Sequence, residues 1–82
     1  MAKTYVFQME GEDTDGFLQY EGQVGDARIY TFNFTRLVTV VKVRAEGEEE
    51  AWRRLNEVLE SDEIKWYDVA DGEPRLVSVE DE

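Results

Sequence analysis

Alternating apolar and polar positions predict strands in the first quarter of the chain. Residues 3–10 alternate strictly enough to form a first strand. Its apolar face is made of three large side chains, Tyr5, Phe7 and Met9. The glycine- and aspartate-rich segment 11–16 predicts a turn, and the short apolar run 17–20 predicts a second strand that pairs back onto the first. The glycines within 21–26 predict a loop.

Residues 28–45 form the longest strand-like stretch, but its alternation changes phase. The apolar positions are even-numbered at first, namely Tyr30, Phe32, Phe34, Val38 and Val40. They are odd-numbered afterwards, namely Val41, Val43 and Ala45. One uninterrupted strand cannot present both sets to the same core. We therefore expect either a β-bulge near Val40 or a break within 33–36 that makes two strands.

A single amphipathic helix is expected after this stretch. Gly47 is a suitable N-cap, and Glu48, Glu49 and Glu50 place negative charge in the first turn, where it complements the helix dipole. The pairs Glu49–Arg53 and Glu50–Arg54 have i,i+4 spacing. An apolar stripe at helical spacing is formed by Ala51, Trp52, Leu55, Val58 and Leu59. Ser61-Asp62 is expected to end the helix.

The C-terminal segment reads as a β-hairpin. Residues 63–69 and 75–79 predict two strands, joined by a turn over 71–74, and the acidic tail 80–82 is expected to fray. The element order is then β-β-β(β)-α-β-β within one domain, residues 1–82. This predicts an α+β fold, a mostly antiparallel sheet of four to five strands with one helix packed on one face.

Composition excludes several kinds of chemistry. The chain has no cysteine and no histidine, so disulfides, thiolate metal sites, cysteine nucleophiles and imidazole acid–base catalysis are absent. The segment 11–22 matches a calcium loop at Asp13, Asp15 and Gly16 but has glycine at its first and last ligand positions. There is no glycine-rich phosphate loop. We expect no enzymatic activity, no metal and no cofactor.

No signal peptide and no membrane-spanning run is visible, which favours a cytoplasmic protein. The net charge is −11 on 82 residues. Acidic residues are concentrated in 10–26 and in 46–82, whereas 27–45 contains only basic charges. A polyanion of this kind attracts basic protein surfaces and repels nucleic acid. The alternative to a binding role is that these acidic side chains only keep a small domain in solution.

A functional interpretation gathers the acidic side chains on one surface that imitates a nucleic-acid backbone. The candidate contacts are Glu10, Glu12, Asp13, Asp15, Glu46, Glu49, Glu57 and Glu60. Trp66 or Tyr67 could act as an aromatic anchor beside them, since aromatic side chains dominate interface energies. The partner would be a basic protein surface, such as the nucleic-acid-binding groove of a host defence or transcription enzyme.

Two other functions stay open. The first is a structural or assembly module that forms a homodimer through an edge strand or an exposed sheet face. The second is single-strand nucleic-acid binding by residues 28–36, where aromatic side chains alternate with arginine. Against this second function, we expect Tyr30, Phe32 and Phe34 to lie in the core beneath the helix.

The segment 41–55 joins a valine-rich strand ending in alanine to a capping residue, Glu-Ala and an apolar helix. This pattern resembles small phage- and plasmid-borne domains of the DpnD/PcfM type, over about residues 38–69, and implies no functional residues. In size, acidity and lack of catalytic groups, the chain also resembles phage anti-CRISPR and anti-restriction proteins. That resemblance implies an inhibitor acting in the cytoplasm of a host cell.

Overall fold

The computed structural model describes residues 2–12, 19–33, 36–65 and 68–81. They form an α+β domain with five strands, β1 (Lys3–Gly11), β2 (Gln19–Val24), β3 (Ala27–Asn33), β4 (Leu37–Ala45) and β5 (Arg75–Asp81). One helix, α1 (Glu48–Leu59), lies between β4 and β5. The strands make a single antiparallel sheet in the order β2-β3-β4-β1-β5. The predicted fold class is confirmed.

The helix begins where the sequence predicts and packs on one face of the sheet. Gly47 is the N-cap in an extended conformation, three glutamates occupy the first turn, and Glu60 is the C-cap. The apolar stripe lies against the core, and its deepest member, Leu55, has no exposed surface. Trp52 is half-buried and meets the Phe7 ring edge-on, with 4.7 Å between ring centroids. Burial of this stripe stabilises the helix, because a 12-residue helix is marginal alone in water.

The sheet face beneath α1 is formed by odd-numbered residues of the central strands. This core face is lined by Tyr5, Phe7, Met9, Ala27, Ile29, Leu37, Val41, Val43 and Ala45. Two threonines, Thr31 and Thr39, are also fully buried there. Of the two predicted interruptions in 28–45, the break within 33–36 is confirmed, since β3 ends at Asn33 and β4 begins at Leu37. β4 pairs with both neighbours without a register shift near Val40.

The assignment of the even-numbered aromatic residues to the core is wrong. Tyr30 is half-buried on the sheet's other face, and Phe32 is 41% exposed. Both faces of this sheet carry apolar side chains, and the core face includes Thr31 and Thr39, which read as surface positions in the sequence. The described even-numbered apolar residues lie on one face of the sheet and the odd-numbered ones on the other. The apparent change of phase arises because both sets are apolar. Phe34 lies outside the described residues.

Four other local predictions are corrected. The second strand, β2, pairs with β3 and not with β1. Residues 21–24 belong to β2 instead of a loop, with Gly22 in the middle of the strand. The described residues of 63–69 form no strand, and β5 pairs antiparallel with β1, so the predicted C-terminal hairpin is wrong. Glu80 and Asp81 are paired residues of β5 and not a frayed tail. This pairing contains a register shift between Val6 and Phe7.

Candidate functional site

The structure places nine of the twenty acidic residues in one layer. We call residues 46–65 and 68–70 the helix layer; they comprise α1 and the segment that follows it over the core face. This layer carries nine acidic and three basic residues, a net charge of −6. Its last residue, Ala70, is buried in the core cluster. A net negative field on that side of the molecule follows from the order of the elements.

The strand residues on the side of the sheet away from α1 make the opposite surface, which we call the open sheet face. No described element packs on it. Its basic residues are Arg28, Lys42, Arg44 and Arg75, and its acidic residues are Glu10, Glu21 and Glu80. Its apolar residues are Val6, Tyr30, Phe32, Val38 and Val40. The net charge of this face is +1, so the molecule has one acidic side and one side without excess negative charge.

The predicted acidic contacts divide between these two surfaces. Glu49, Glu57 and Glu60 are exposed on the outer side of α1, with Glu46 exposed immediately before it. Glu10 belongs to the open sheet face, where its carboxylate lies 3.5 Å from the Arg36 guanidinium. The structure therefore does not place Glu10 on one surface with the helix glutamates.

Of the remaining predicted contacts, Glu12 alone lies within the described residues. Glu12 is exposed just beyond the end of β1. Asp13, Asp15, Trp66 and Tyr67 lie outside the described residues, so the acidic turn and the aromatic anchor stay predictions.

Arginines interrupt the helix acids in two different ways. Arg53 is exposed between Glu49 and Glu57, at i,i+4 spacing from each. Arg54 instead connects the helix to the sheet. Its guanidinium lies 3.1 Å from the Glu50 carboxylate and 3.9 Å from that of Asp26, and it donates a hydrogen bond to the Arg44 carbonyl oxygen at 2.9 Å. Arg54 therefore links the helix to the sheet, whereas Arg53 lies exposed among the helix glutamates.

A buried chain of hydrogen bonds fixes the far end of the helix layer. The Ala70 amide donates to the Thr39 Oγ1 at 2.7 Å. The hydroxyl oxygens of Thr39 and Thr31 are 2.9 Å apart and share a second hydrogen bond. Because both threonines are fully buried, these bonds satisfy groups that water cannot reach. They hold the acidic segment after α1 on the core face.

A resident metal requires several ligating side chains in a suitable arrangement. No group of three or more acidic side chains among the described residues has the arrangement of a metal site. Among the depressions in the described surface, a shallow one of about 360 Å³ lies between α1 and the β2–β3 turn, and another of about 470 Å³ lies on the open sheet face. In the described part of the chain, no helix has the length and apolar character needed to cross a membrane.

No family model, curated protein or solved structure matches the chain. The site is therefore defined by geometry alone. Sequence reasoning named residues 28–36 as a possible nucleic-acid-binding strand, but it assigned Tyr30 and Phe32 to the core and so did not predict that they lie on the open sheet face. One sequence pattern could have indicated the correct face. The odd-numbered residues Ala27, Ile29 and Thr31 continue in phase with Val41 and Val43, so they could have been assigned to the core in place of the even-numbered aromatic residues.

Proposed function

We propose that this chain is a small, non-enzymatic protein-binding module whose helix layer binds a cationic protein surface. The observation that carries the proposal is the separation of charge between the two faces, −6 on the helix layer against +1 on the open sheet face. A domain that used its acids only for solubility would not need them on one side. Concentrated like charge also costs stability through self-repulsion.

The mean density of carboxylates along α1 is similar to the density of phosphates along a nucleic-acid strand. Five acidic residues fall between positions 48 and 60. At a rise of about 1.5 Å per residue this is roughly one carboxylate per 4 Å of axis. One strand of duplex DNA carries a phosphate about every 3.4 Å. We propose an inhibitor that occupies the basic nucleic-acid-binding surface of a host defence or transcription enzyme, the mode of action expected of an anti-CRISPR-type protein.

Two charge-matched variants test this proposal. The first, E49Q/E57Q/E60Q, removes three negative charges from the outer side of α1. The second, E10Q/E21Q/E80Q, removes three negative charges from the open sheet face and leaves the same net charge. Each variant is immobilised beside the original chain, host-cell lysate is applied at low salt, and bound proteins are eluted in a salt gradient and identified. Each eluted protein is then tested for loss of nucleic-acid binding when the chain is added.

We expect captured nucleic-acid-binding proteins to elute with rising salt, because exposed charge pairs are screened. At about 0.2–1 kcal/mol for each exposed pair, loss of three pairs weakens association by roughly tenfold. The helix variant should show this loss and the sheet variant should not. Equal capture by the two variants, or retention that does not respond to salt, would contradict the proposal.

A further inference from the structure

The open sheet face contains an unfavourable pair of cations that the fold does not need. Arg28 of β3 and Lys42 of β4 lie directly opposite each other in the register. Like charges at directly opposed positions of neighbouring strands destabilise a sheet. Lys42 has one distant carboxylate, that of Glu80 at 3.9 Å, and Arg28 forms no ion pair with another described residue. Two adjacent cations with so little compensation are suited to an anionic ligand.

Two aromatic rings lie in the same row of β3 side chains as Arg28. Tyr30 and Phe32 follow Arg28 at two-residue intervals on β3, so all three point to the same side of the sheet. Their cross-strand neighbours on β4 are Val40 and Val38, which are too small to cover the rings. The 41% exposure of Phe32 is high for a phenylalanine, which normally lies inside a domain. Cations and partly exposed rings thus share one surface.

A depression of about 470 Å³ lies beside these groups, within the usual size range of small-ligand sites. Arg28 and Tyr30 line one side of it, and Glu21, Gly22 and Gln23 of β2 line the other. The amide of Gln23 donates to the Gly25 carbonyl oxygen at 2.8 Å, which leaves its own oxygen as an acceptor. The Glu21 carboxylate is a second acceptor, directly opposite Tyr30. A planar group that stacks on the Tyr30 ring would therefore have hydrogen-bond acceptors of Glu21 and Gln23 next to its edge.

We propose that the open sheet face binds single-stranded nucleic acid. Arg28 and Lys42 contact phosphates, and bases stack on Tyr30 and Phe32, as aromatic side chains on binding sheets do for unpaired bases. Glu21 and Gln23 accept hydrogen bonds from exocyclic amino groups, which cytosine, adenine and guanine carry and which uracil and thymine lack. This inference does not rest on the function proposed for the helix layer, since it uses the opposite face.

Two other occupants of this face, a second copy of the chain and an acidic peptide, fit its charges and rings less well. In a twofold dimer the same patch meets itself, so an axis at the Arg28–Lys42 pair would bring four cations together. An acidic peptide would satisfy the cations but has no planar groups to stack on the two rings. The overall net charge of −11 opposes nucleic acid at long range, but the acids of the helix layer lie on the other side of the sheet. Screening over about 10 Å at moderate salt reduces their effect.

The test measures fluorescence anisotropy of a short labelled single strand, RNA or DNA, with the full chain at low salt. The same sequence as a duplex and an unlabelled polyglutamate competitor are run in parallel. The variants are Y30L and R28Q/K42Q, and the matched control R53Q/K65Q removes one arginine and one lysine from the helix layer. Thermal unfolding of each variant is recorded, and sedimentation gives the oligomeric state.

We expect the single strand to bind, the duplex to bind less tightly, and Y30L to weaken binding by roughly 5- to 100-fold. R28Q/K42Q should reduce the slope of log affinity against log salt by about 1.4, because each phosphate contact on a single strand contributes about 0.7. R53Q/K65Q should bind like the original chain. The R28Q/K42Q variant should also melt no lower than the original chain, since the opposed cations are removed.

Four results would overturn the inference. The first is no anisotropy change at low salt, and the second is an equal loss in R53Q/K65Q and R28Q/K42Q. The third is displacement by polyglutamate with Y30L unaffected, which would assign the face to an acidic peptide. The fourth is a stable dimer that R28Q/K42Q strengthens, which would assign the face to a second copy.

Discussion

Replacing Thr39 by valine tests how the segment after α1 is held on the sheet. Valine has nearly the same shape as threonine and suits a strand, so packing and local propensity change little. The substitution removes the oxygen that accepts the Ala70 amide and also the partner of the Thr31 hydroxyl. Because Ala70 and Thr31 are buried, neither group can turn to water instead.

The expected cost follows from those two unsatisfied groups. A buried donor left without a partner costs about 1–3 kcal/mol, and the Thr31 hydroxyl adds a further loss of about 1 kcal/mol. The additional apolar burial offsets part of this, so we expect T39V to be destabilised by about 2 kcal/mol. T31V is the control. It removes only the bond between hydroxyls and leaves the Ala70 amide satisfied, so we expect a loss of about 1 kcal/mol or less.

Urea unfolding measures both variants. With a slope of about 1 kcal/mol per molar for a domain of this size, T39V should lower the midpoint by about 2 M and T31V by less than half as much. Amide hydrogen exchange at Ala70 should accelerate in T39V and stay slow in T31V, because the former loses the local acceptor. Equal midpoints for T39V and T31V, or unchanged exchange at Ala70, would refute the assigned role of this hydrogen bond.

Four further substitutions test the fold and its two faces. G72A should lower the unfolding midpoint sharply, because a Cβ on Gly72 would overlap the Glu10 carbonyl oxygen; a midpoint like that of the original chain would show that the contact relaxes freely. F32T should cost less than about 1 kcal/mol by thermal or urea unfolding, while F7A should cost about 3–5 kcal/mol, because Phe7 is fully buried and Phe32 is not. Comparable losses in F32T and F7A would contradict the assignment of the two faces. L55A should cost about 2–5 kcal/mol, and a loss below 1 kcal/mol would show that α1 is not anchored by its central residue.

Local features of the fold were predictable from the sequence where a single period dominates. The strand 3–10 and the helix after Gly47 have clean alternation and clean helical spacing, and both are confirmed. The phase of 28–45 was not predictable in the same way, because apolar residues lie on both faces of that part of the sheet. Burial of Thr31 and Thr39 depends on Ala70, which is distant in sequence and supplies the donor.

Strand pairing depended on contacts that no local pattern encodes. Residues 75–81 have the alternation of a strand, but their partner is β1 at the other end of the chain. We expected residues 75–79 to pair with residues 63–69, because that pairing needs only a short turn. In the structure, the segment around Ala70 packs on the core face instead. Gly22 made β2 look like a loop, since glycine is usually depleted in strand interiors.

The candidate site was only partly predictable for the same reason. The helix glutamates were placed correctly on one exposed side, because helical spacing fixes which residues share a face. Glu10 was grouped with them by sequence charge, yet it lies on the opposite face beside Arg36. The proximity of Arg28 to Lys42 required the register of β3 and β4, which the sequence does not contain as a pattern.

The most direct test of the charge separation measures local electrostatic potential without any partner. Proton relaxation is recorded by NMR with a cationic and with an anionic paramagnetic co-solute, and the ratio of the two effects gives the potential near each proton. We predict strongly negative values at the side chains of Glu49, Glu57 and Glu60, and values near zero or positive at Tyr30 and Val40. Equally negative values at both sets of protons would contradict the account, because the acidic residues would then not act from one side.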